Sequence, residues 1–308
     1  MFVGISASLV AICGFVPHVW LFDLASQLRL ALEMILIICV VVLVTLRSHL
    51  AATFVLIGLF INTVPLARMY VKQTCPENKN TQSITILNFN TEFQHNGRFD
   101  LLKNLVNERL PDIIALVEVD KKWINAIEPA TSRYPYNKVV LEGPGLALYS
   151  FFPIEKCDVR YFGRSHHPRI IATLRVGTRE LQILIAHPTT PQTDTGFDER
   201  NQEISIIQNE ISQMTSPKIL IGDLNCGPWS PVFEKLLSSG LRDSQQGFGP
   251  HPSWPARTGR VFEKLLIPPM VPIDHILISP ELCVTNRIVG PALESDHLPV
   301  FARIICPK

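Results

Sequence analysis

The chain has 308 residues, of which 47% are hydrophobic, and its mean hydropathy of +0.22 is high for a soluble protein. The excess lies at the N-terminus, because residues 1–72 contain only four basic and two acidic side chains. The rest of the chain is close to neutral, which excludes the broad positive surface typical of proteins that bind nucleic acids through charge alone. A local basic groove is compatible with this composition.

Three apolar stretches come first in the chain, at residues 2–22, 30–46 and 49–67. A membrane-spanning helix needs about 20 predominantly apolar residues, with a lower limit near 17. The last two stretches are joined by the short Arg47-Ser48-His49 link, which is typical of a helical hairpin, whereas Pro17 and His18 interrupt the first. We therefore predict a membrane anchor of about three transmembrane helices over residues 1–72, followed by a linker over residues 73–82.

Two other interpretations compete with a membrane anchor. A cleaved signal peptide needs a positive segment before a short apolar core, but no Lys or Arg precedes Arg29 and two further apolar stretches follow. A buried helical bundle would show more polar faces. The distribution of Arg and Lys around the stretches weakly favours a cytoplasmic position for the remainder of the chain.

Seven cysteines are present, without the spacing of a zinc site. Five of them lie in the polar part of the chain, so they cannot all pair with one another. A disulfide scaffold is therefore not expected, and most cysteines are predicted to be small buried hydrophobic residues. Unpaired cysteines also favour a reducing compartment.

From about residue 80, short apolar runs alternate with amphipathic segments, a pattern typical of an α/β domain over residues 83–308. The runs predict strands at residues 83–89, 113–117, 145–149, 169–176, 180–186, 218–221, 273–278 and 298–305. Apolar residues at helical spacing predict helices at residues 99–110 and 199–214. Residues 250–272 contain six prolines and are predicted to form a long loop or lid.

Polar residues capable of chemistry lie at the ends of several of these predicted strands. They are Asn90, Glu92, Glu118, His187, Asp223, Asn225, Asp274, Asp296 and His297. Strand ends are where ligands and catalytic groups gather in α/β sheets. One charged residue after a strand is usually a turn or a cap, but this many at separate strand ends predicts a shared site.

The residue types at these strand ends select a chemistry. Mg²⁺ prefers carboxylate and carbonyl oxygens, and one group supplies them: Glu118, Asp296, Glu92 and Asn90. Phosphoryl transfer also needs an oriented water and a stabilised charge, which suits a second group: Asp223, Asn225, His187 and His297. The sequence contains no GxSxG elbow and no phosphate-binding P-loop, so neither a serine hydrolase nor a P-loop enzyme is supported.

Six motifs between about Ser83 and Ile305 resemble those of the endonuclease/exonuclease/phosphatase superfamily of metal-dependent phosphoesterases. In chain order they are ILNFN at 86–90, DIIALVE at 112–118, GLALYS at 145–150, GDLN at 222–225, IDHI at 273–276 and SDH at 295–297. The resemblance implies a four-layer α/β sandwich, in which two packed mixed β-sheets are flanked by helices. One departure is Val117, which stands where the family usually has glutamine.

The resemblance also implies roles for the residues at the strand ends. Mg²⁺ or Mn²⁺ would be held chiefly by Glu118, with Asn90, Asp296 and Glu92 nearby. Asp223 would orient or deprotonate the attacking water, and Asn225 would bond that water or the phosphate. His297, held by Asp274, would protonate or stabilise the phosphate, and His187 would contact a phosphate oxygen. No organic cofactor and no obligate protein partner are implied.

The substrate class stays open at the level of sequence. Basic residues that could track a nucleic acid are scattered: Arg160, Arg164, Arg169, Arg257 and Arg260. Aromatic residues that could form an apolar rim are Phe151, Phe152, Tyr161, Phe162 and Trp254. A phosphorylated substrate linked to a lipid in the bilayer is favoured over DNA or RNA. A third interpretation is a non-catalytic module that binds a phosphorylated ligand.

The location of the domain is a separate prediction. His187-Pro188 and the Ser253-Trp254-Pro255 loop resemble bacterial, membrane-anchored members of the superfamily. That resemblance implies a multi-pass protein of the inner or plasma membrane with an extracytoplasmic catalytic domain. The distribution of basic residues and the unpaired cysteines indicates the opposite, a cytoplasmic domain. We give the resemblance precedence and predict an extracytoplasmic domain.

Overall fold

Helices form the N-terminal part of the computed structural model, which describes residues 2–16, 19–75, 81–215, 217–256 and 270–307. These helices are α1 (Phe2–Cys13), α2 (Trp20–Gln27), α3 (Arg29–Thr45) and α4 (His49–Arg68). In length and composition α4 can cross a membrane, and α2 and α3 can do so only as one broken span with a 72° bend. The 12 residues of α1 are too few. Three spans are therefore not supported, and the predicted span at 2–22 is not one helix.

The helices α1, α3 and α4 pack against one another through small and branched side chains. Ala11, Leu36, Ala52 and Val55 are almost fully buried between them. Gly58 of α4 meets α1 so closely that a Cβ atom would lie 2.2 Å from the Ser8 hydroxyl oxygen, and small residues at such contacts are typical of helices that pack in membranes. The outer faces of the three helices carry most of the large hydrophobic side chains exposed on the described part of the chain.

Two six-stranded mixed sheets follow, and each is built from strands that alternate in direction except for one parallel pair. In spatial order the first sheet contains β11 (Cys283–Val289), β12 (Val300–Pro307), β1 (Thr81–Asn90), β2 (Ile113–Val119), β4 (Gly145–Ser150) and β3 (Tyr136–Val140). The second contains β5 (Ile154–Tyr161), β6 (Pro168–Val176), β7 (Arg179–Ala186), β8 (Lys218–Asp223), β10 (Asp274–Ile278) and β9 (Arg242–Asp243).

The sheets pack face to face through an apolar core that includes Ile86, Ile183, Ile221 and Ile276. A second core lies between the first sheet and two helices, α5 (Phe99–Arg109) and α6 (Lys121–Thr131). A third lies between the second sheet and two more, α7 (Asp194–Gln213) and α8 (Pro231–Ser238). The predicted arrangement of two packed mixed sheets flanked by helices is confirmed.

The segment between α4 and β1 is tied to the sandwich. Cys75 forms a disulfide with Cys283 of β11, with 5.3 Å between their Cα atoms. The prediction that most cysteines are buried and unpaired is wrong for these two, because a separation of 208 residues leaves no spacing from which the pairing can be read. The predicted proline-rich loop falls largely on residues 257–269, outside the described part of the chain.

Candidate active site

The two sheets present their predicted site residues at one end of the sandwich. Asn90 ends β1, Glu118 lies near the end of β2, and His187 directly follows β7. Asp223 ends β8 directly opposite Asp274 of the antiparallel strand β10. The remaining four lie in adjacent loops: Glu92, Asn225, Asp296 and His297. All nine predicted residues therefore lie at or beside one cavity of about 590 Å³.

Three of these residues have an unusual backbone conformation, which determines the direction of their side chains. Glu92, Glu118 and Asn225 have φ angles of 51°, 53° and 50°, a left-handed region that is unfavourable for residues with a side chain and that recurs at functional sites. Glu118 sits where the register between β2 and β4 shifts, and such a bulge turns a side chain away from the regular alternation. Gly222, before Asp223, has φ of 152° and a Cβ atom there would lie 1.9 Å from the Ala186 carbonyl oxygen, so only glycine is accommodated.

Asn90 joins the two carboxylates at the centre of the site. Its side-chain Nδ2 donates to Glu118 Oε1 at 3.0 Å and to Asp223 Oδ2 at 3.1 Å. Its oxygen accepts a hydrogen bond from the backbone of Glu92, whose carboxylate accepts one from the backbone of Asp296 at 2.8 Å. In this arrangement Asn90 orients carboxylates, and its ligation of a metal stays a prediction.

His187 forms a hydrogen bond with the Glu118 carboxylate. Its Nε2 lies 3.0 Å from Glu118 Oε1 and its Nδ1 lies 3.1 Å from the Asp223 carbonyl oxygen. With an acceptor at each nitrogen, the ring is held in the doubly protonated form. Burial acts to lower the pKa of His187, but Glu118 and Asp223 outweigh it and raise the pKa to about 9. The predicted contact between His187 and a phosphate oxygen stays a prediction and would require one of these bonds to break.

His297 and Asp274 form a buried pair. His297 Nδ1 donates to Asp274 Oδ2 at 2.8 Å, and its Nε2 points toward Asp223 Oδ2 at 3.6 Å. Burial acts to lower the pKa of His297, but the charges of Asp274 and Asp223 raise it to about 10. Ser295, the first residue of the SDH motif, received no role from sequence reasoning; it fixes this loop by donating to the Asn90 carbonyl oxygen and accepting from the His297 backbone.

Asp223 is the most enclosed carboxylate that lines the cavity, with only 2% of its surface exposed. Its Oδ1 accepts a hydrogen bond from the backbone of Asn225 at 3.0 Å. Burial raises the pKa of Asp223, although the neighbouring His297 and His187 oppose the shift. A carboxylate with a raised pKa is a better proton acceptor than one in water, which suits a group that orients and deprotonates a water.

The donor groups around the cavity suit a divalent cation. Four carboxylates line it (Glu92, Glu118, Asp223 and Asp296), and the described lining residues include no Lys or Arg. Burial acts to raise the pKa of Glu118, but His187 and Asn90 lower it to about 2, so Glu118 is an anion at neutral pH. Such an excess of oxygen anions is the environment that Mg²⁺ and similar cations require.

A second cluster of metal-ligating groups lies deeper, where donor atoms of Asp223, Asp274 and His297 are all within 4.8 Å of one another. In this cluster His297 Nδ1 and Asp274 Oδ2 already form a hydrogen bond with each other, so these two atoms are not free to bind a metal. The predicted cation site beside Glu118 is more open, since the Glu118 side chain is 26% exposed, and it stays a prediction.

The N-terminal helix α2 contributes to the same site, which sequence reasoning missed. Asp23 of α2 accepts a hydrogen bond from Arg200 Nη2 at 2.8 Å, and Arg200 Nη1 donates to the Asn225 carbonyl oxygen at 2.7 Å. Gln27 of α2 accepts from the backbone of Gly227 at 2.6 Å. The loop that follows Asp223 and carries Asn225 is thus held in place by a helix that lies about 200 residues earlier in the chain.

The predicted aromatic rim is mostly wrong. Among the five aromatic residues, Trp254 alone lines the described part of the cavity, where its ring nitrogen donates to Asp296 at 3.0 Å. Phe162 is buried in the core, and Phe151 stacks on Tyr134. Apolar lining comes instead from Leu24, Leu28, Pro191, Val271 and Ile273.

Comparison with known proteins decides the family. The sequence profile of the Endonuclease/Exonuclease/phosphatase family matches residues 87–297, which contain every predicted site residue and most of the chain. The chain belongs to this family. The Inositol phosphosphingolipids phospholipase C of Saccharomyces cerevisiae is 29% identical over an alignment of 160 residues, and the match covers 43% of this chain and about a third (34%) of that relative's length.

Solved structures share the fold of this family member at low identity. An endonuclease/exonuclease/phosphatase from Beutenbergia cavernae superposes with a TM-score of 0.60 at 17% identity, covering 72% of this chain and 71% of that chain. D. rerio TDP2, complexed with single strand DNA product, gives 0.60 at 13% identity, covering 72% of this chain and 99% of that chain. At these identities the likeness shows the fold alone.

Proposed function

We propose that this family member is a divalent-metal-dependent phosphoesterase, held at a membrane by its N-terminal helices, that hydrolyses a phosphate mono- or diester linked to a lipid. One observation carries the proposal. The cavity that holds the carboxylates and His297 is walled on one side by α2, a helix of the apolar N-terminal part of the chain. A substrate in the bilayer would thus meet the catalytic groups at the membrane surface.

In this proposal Mg²⁺ or Mn²⁺ beside Glu118, with Asp296, Glu92 and Asn90 nearby, would supply a Lewis acid that neutralises the phosphate oxygens. Asp223 orients the attacking water and accepts its proton. Asn225 hydrogen-bonds the water or the phosphate. The protonated His297, fixed by Asp274, donates to the phosphate oxygens or to the leaving group, and His187 holds Glu118 in place.

A nuclease is the competing function, since the structural neighbours include a TDP2 bound to a DNA product. Phosphate contacts from Lys and Arg supply much of the affinity of nucleic-acid-binding proteins. Two of the basic residues that could do so are engaged elsewhere, because Arg160 and Arg169 both pair with Glu210. Arg257 and Arg260 lie outside the described residues.

A parallel screen separates these functions. Full-length protein with Mg²⁺ is assayed on phospholipid vesicles, polyprenyl pyrophosphates, plasmid and abasic DNA, and RNA, with Asp223→Ala as the control. We expect release of headgroup or phosphate from a lipid, absent in Asp223→Ala. DNA or RNA cleavage that falls steeply with salt, without release from any lipid, would favour the nuclease. Binding of phosphorylated ligands without turnover of any substrate would favour a non-catalytic module.

We further propose that the catalytic domain lies on the extracytoplasmic side of an inner or plasma membrane. The disulfide between Cys75 and Cys283 supports this location, because disulfides persist in oxidising compartments. Cys157 is exposed and unpaired, so a membrane-impermeant maleimide should label it in intact cells, and Cys157→Ser should remove the label. Labelling of Cys157 only after the cells are permeabilised would place the domain in the cytoplasm.

A further inference from the structure

The helix α2 carries its polar and apolar residues in an unusual arrangement. Asp23, Ser26 and Gln27 are buried, with 5%, 1% and 8% of their surfaces exposed, whereas Leu21 and Leu28, the residue that follows the helix, are 62% and 47% exposed. A surface helix of a soluble domain normally buries its apolar face. Here the polar face of α2 packs against the catalytic domain. The exposed leucine side chains are therefore available to contact a different apolar environment.

The polar face of α2 is fixed to the catalytic domain by specific bonds. Asp23 accepts from Arg200 and from the Ser230 hydroxyl, at 2.8 and 2.5 Å. The Trp20 ring nitrogen donates to the Pro191 carbonyl oxygen at 2.8 Å, and Pro191 itself lines the catalytic cavity. The position of α2 relative to the catalytic groups is therefore set by the domain.

The bend between α2 and α3 determines how α2, which forms one wall of the cavity, would be oriented relative to a bilayer. The two helix axes differ by 72° across a single residue, Leu28. If α3 follows the bilayer normal, α2 lies nearly in the membrane plane, in the manner of interfacial helices. The part of the cavity that Leu24 and Leu28 line would then lie at the level where the hydrocarbon chains of lipids begin.

We propose that Leu24 of α2 and the adjoining Leu28, together with Val271 and Ile273 on the domain, form a subsite for the hydrocarbon chain of the substrate. These four side chains line the same cavity as Glu118 and His297. A phosphate held by the polar end thus places an attached alkyl or prenyl chain against the apolar wall. This inference rests on the proposed function and adds that the N-terminal region selects the substrate as well as anchoring the enzyme.

The test compares two esters that differ only in chain length and are cleaved at the same bond, p-nitrophenyl ethyl phosphate and p-nitrophenyl hexadecyl phosphate. Full-length protein in detergent micelles with Mg²⁺ should show a higher kcat/KM for the hexadecyl ester. Leu28→Ser should reduce this preference roughly tenfold, since it removes most of one leucine contact. Leu21→Ser is the matched control, because Leu21 is exposed on α2 without lining the cavity, and it should keep the preference.

A second variant guards against misfolding as the cause. Leu24→Trp fills the apolar end of the cavity, so it should also reduce the preference for the hexadecyl ester while the thermal unfolding midpoint stays near that of wild type. Hydrolysis of both esters with the same preference in wild type, Leu28→Ser and Leu24→Trp would overturn the subsite and leave the proposed function standing. Failure of wild type to hydrolyse either ester would count against both.

Discussion

Replacing Asp223 with alanine should lower kcat/KM for phosphoester hydrolysis by about 10²–10⁴-fold, the usual effect of losing a positioned acid or base. Asp223 occupies the centre of the site, where Asn90 and the Asn225 backbone hold its two oxygens and His297 Nε2 lies 3.6 Å away. Burial raises the pKa of this carboxyl, which strengthens it as an acceptor for the proton of a water. The effect should appear mainly in kcat, because the group acts on the water and not on the lipid chain.

Loss of Asp223 also removes one of the two carboxylates beside each protonated histidine, since His187 keeps only Glu118 and His297 keeps Asp274, and this can destabilise a buried site. Asp223→Asn keeps the shape of the side chain, so it should be nearly as inactive while its thermal unfolding midpoint stays close to that of wild type. Asp158→Ala is the matched control, since Asp158 is an exposed carboxylate on β5, and it should retain full activity. Wild-type rates in both Asp223 variants would remove Asp223 from the mechanism.

Glu118→Gln should raise the Mg²⁺ concentration needed for half-maximal activity at least tenfold and lower the maximal rate by about 10²–10³-fold. Glu118 is held anionic by His187 and Asn90, with a pKa lowered to about 2. The glutamine keeps the size of the side chain and one oxygen but removes the charge. The measurement is a titration of initial rate against Mg²⁺ for full-length protein.

Glu128→Gln is the control for the Glu118 variant, because Glu128 is an exposed carboxylate on α6, away from the cavity. It should titrate like wild type. Equal Mg²⁺ dependence in Glu118→Gln and wild type would move the metal away from Glu118, toward the deeper cluster of Asp223, Asp274 and His297.

The central strands, and the convergence of the nine candidate residues at their ends, could be predicted from the sequence because each strand and the polar residue after it are adjacent in the chain. The run over residues 113–117 is apolar throughout since β2 is buried on both faces. The four edge strands β3, β5, β9 and β11 were not predicted. Most residues of β5 are exposed, and β3 and β11 each mix exposed, half-buried and buried residues. Such strands lack the continuous apolar run from which the central strands were predicted.

The contribution of α2 could not be predicted, since it depends on contacts distant in sequence. Asp23 and Arg200 are 177 residues apart, and an arginine within an amphipathic helix is typical of a solvated surface. Hydropathy also joined residues 2–22 into one stretch, although the structure ends α1 at Cys13 and begins α2 at Trp20. Only the folded chain shows that α2 lines the cavity that holds the candidate site residues.

Restoring metal to the stripped enzyme tests the central claim most directly. Full-length protein is freed of metal with a chelator, and hydrolysis of p-nitrophenyl hexadecyl phosphate is followed as Mg²⁺ or Mn²⁺ is added back. We predict no activity above that of Asp223→Ala in the chelator, and recovery that saturates with added cation in wild type. Undiminished hydrolysis in the chelator, or no hydrolysis at any concentration of either cation, would contradict a metal-dependent phosphoesterase at this site.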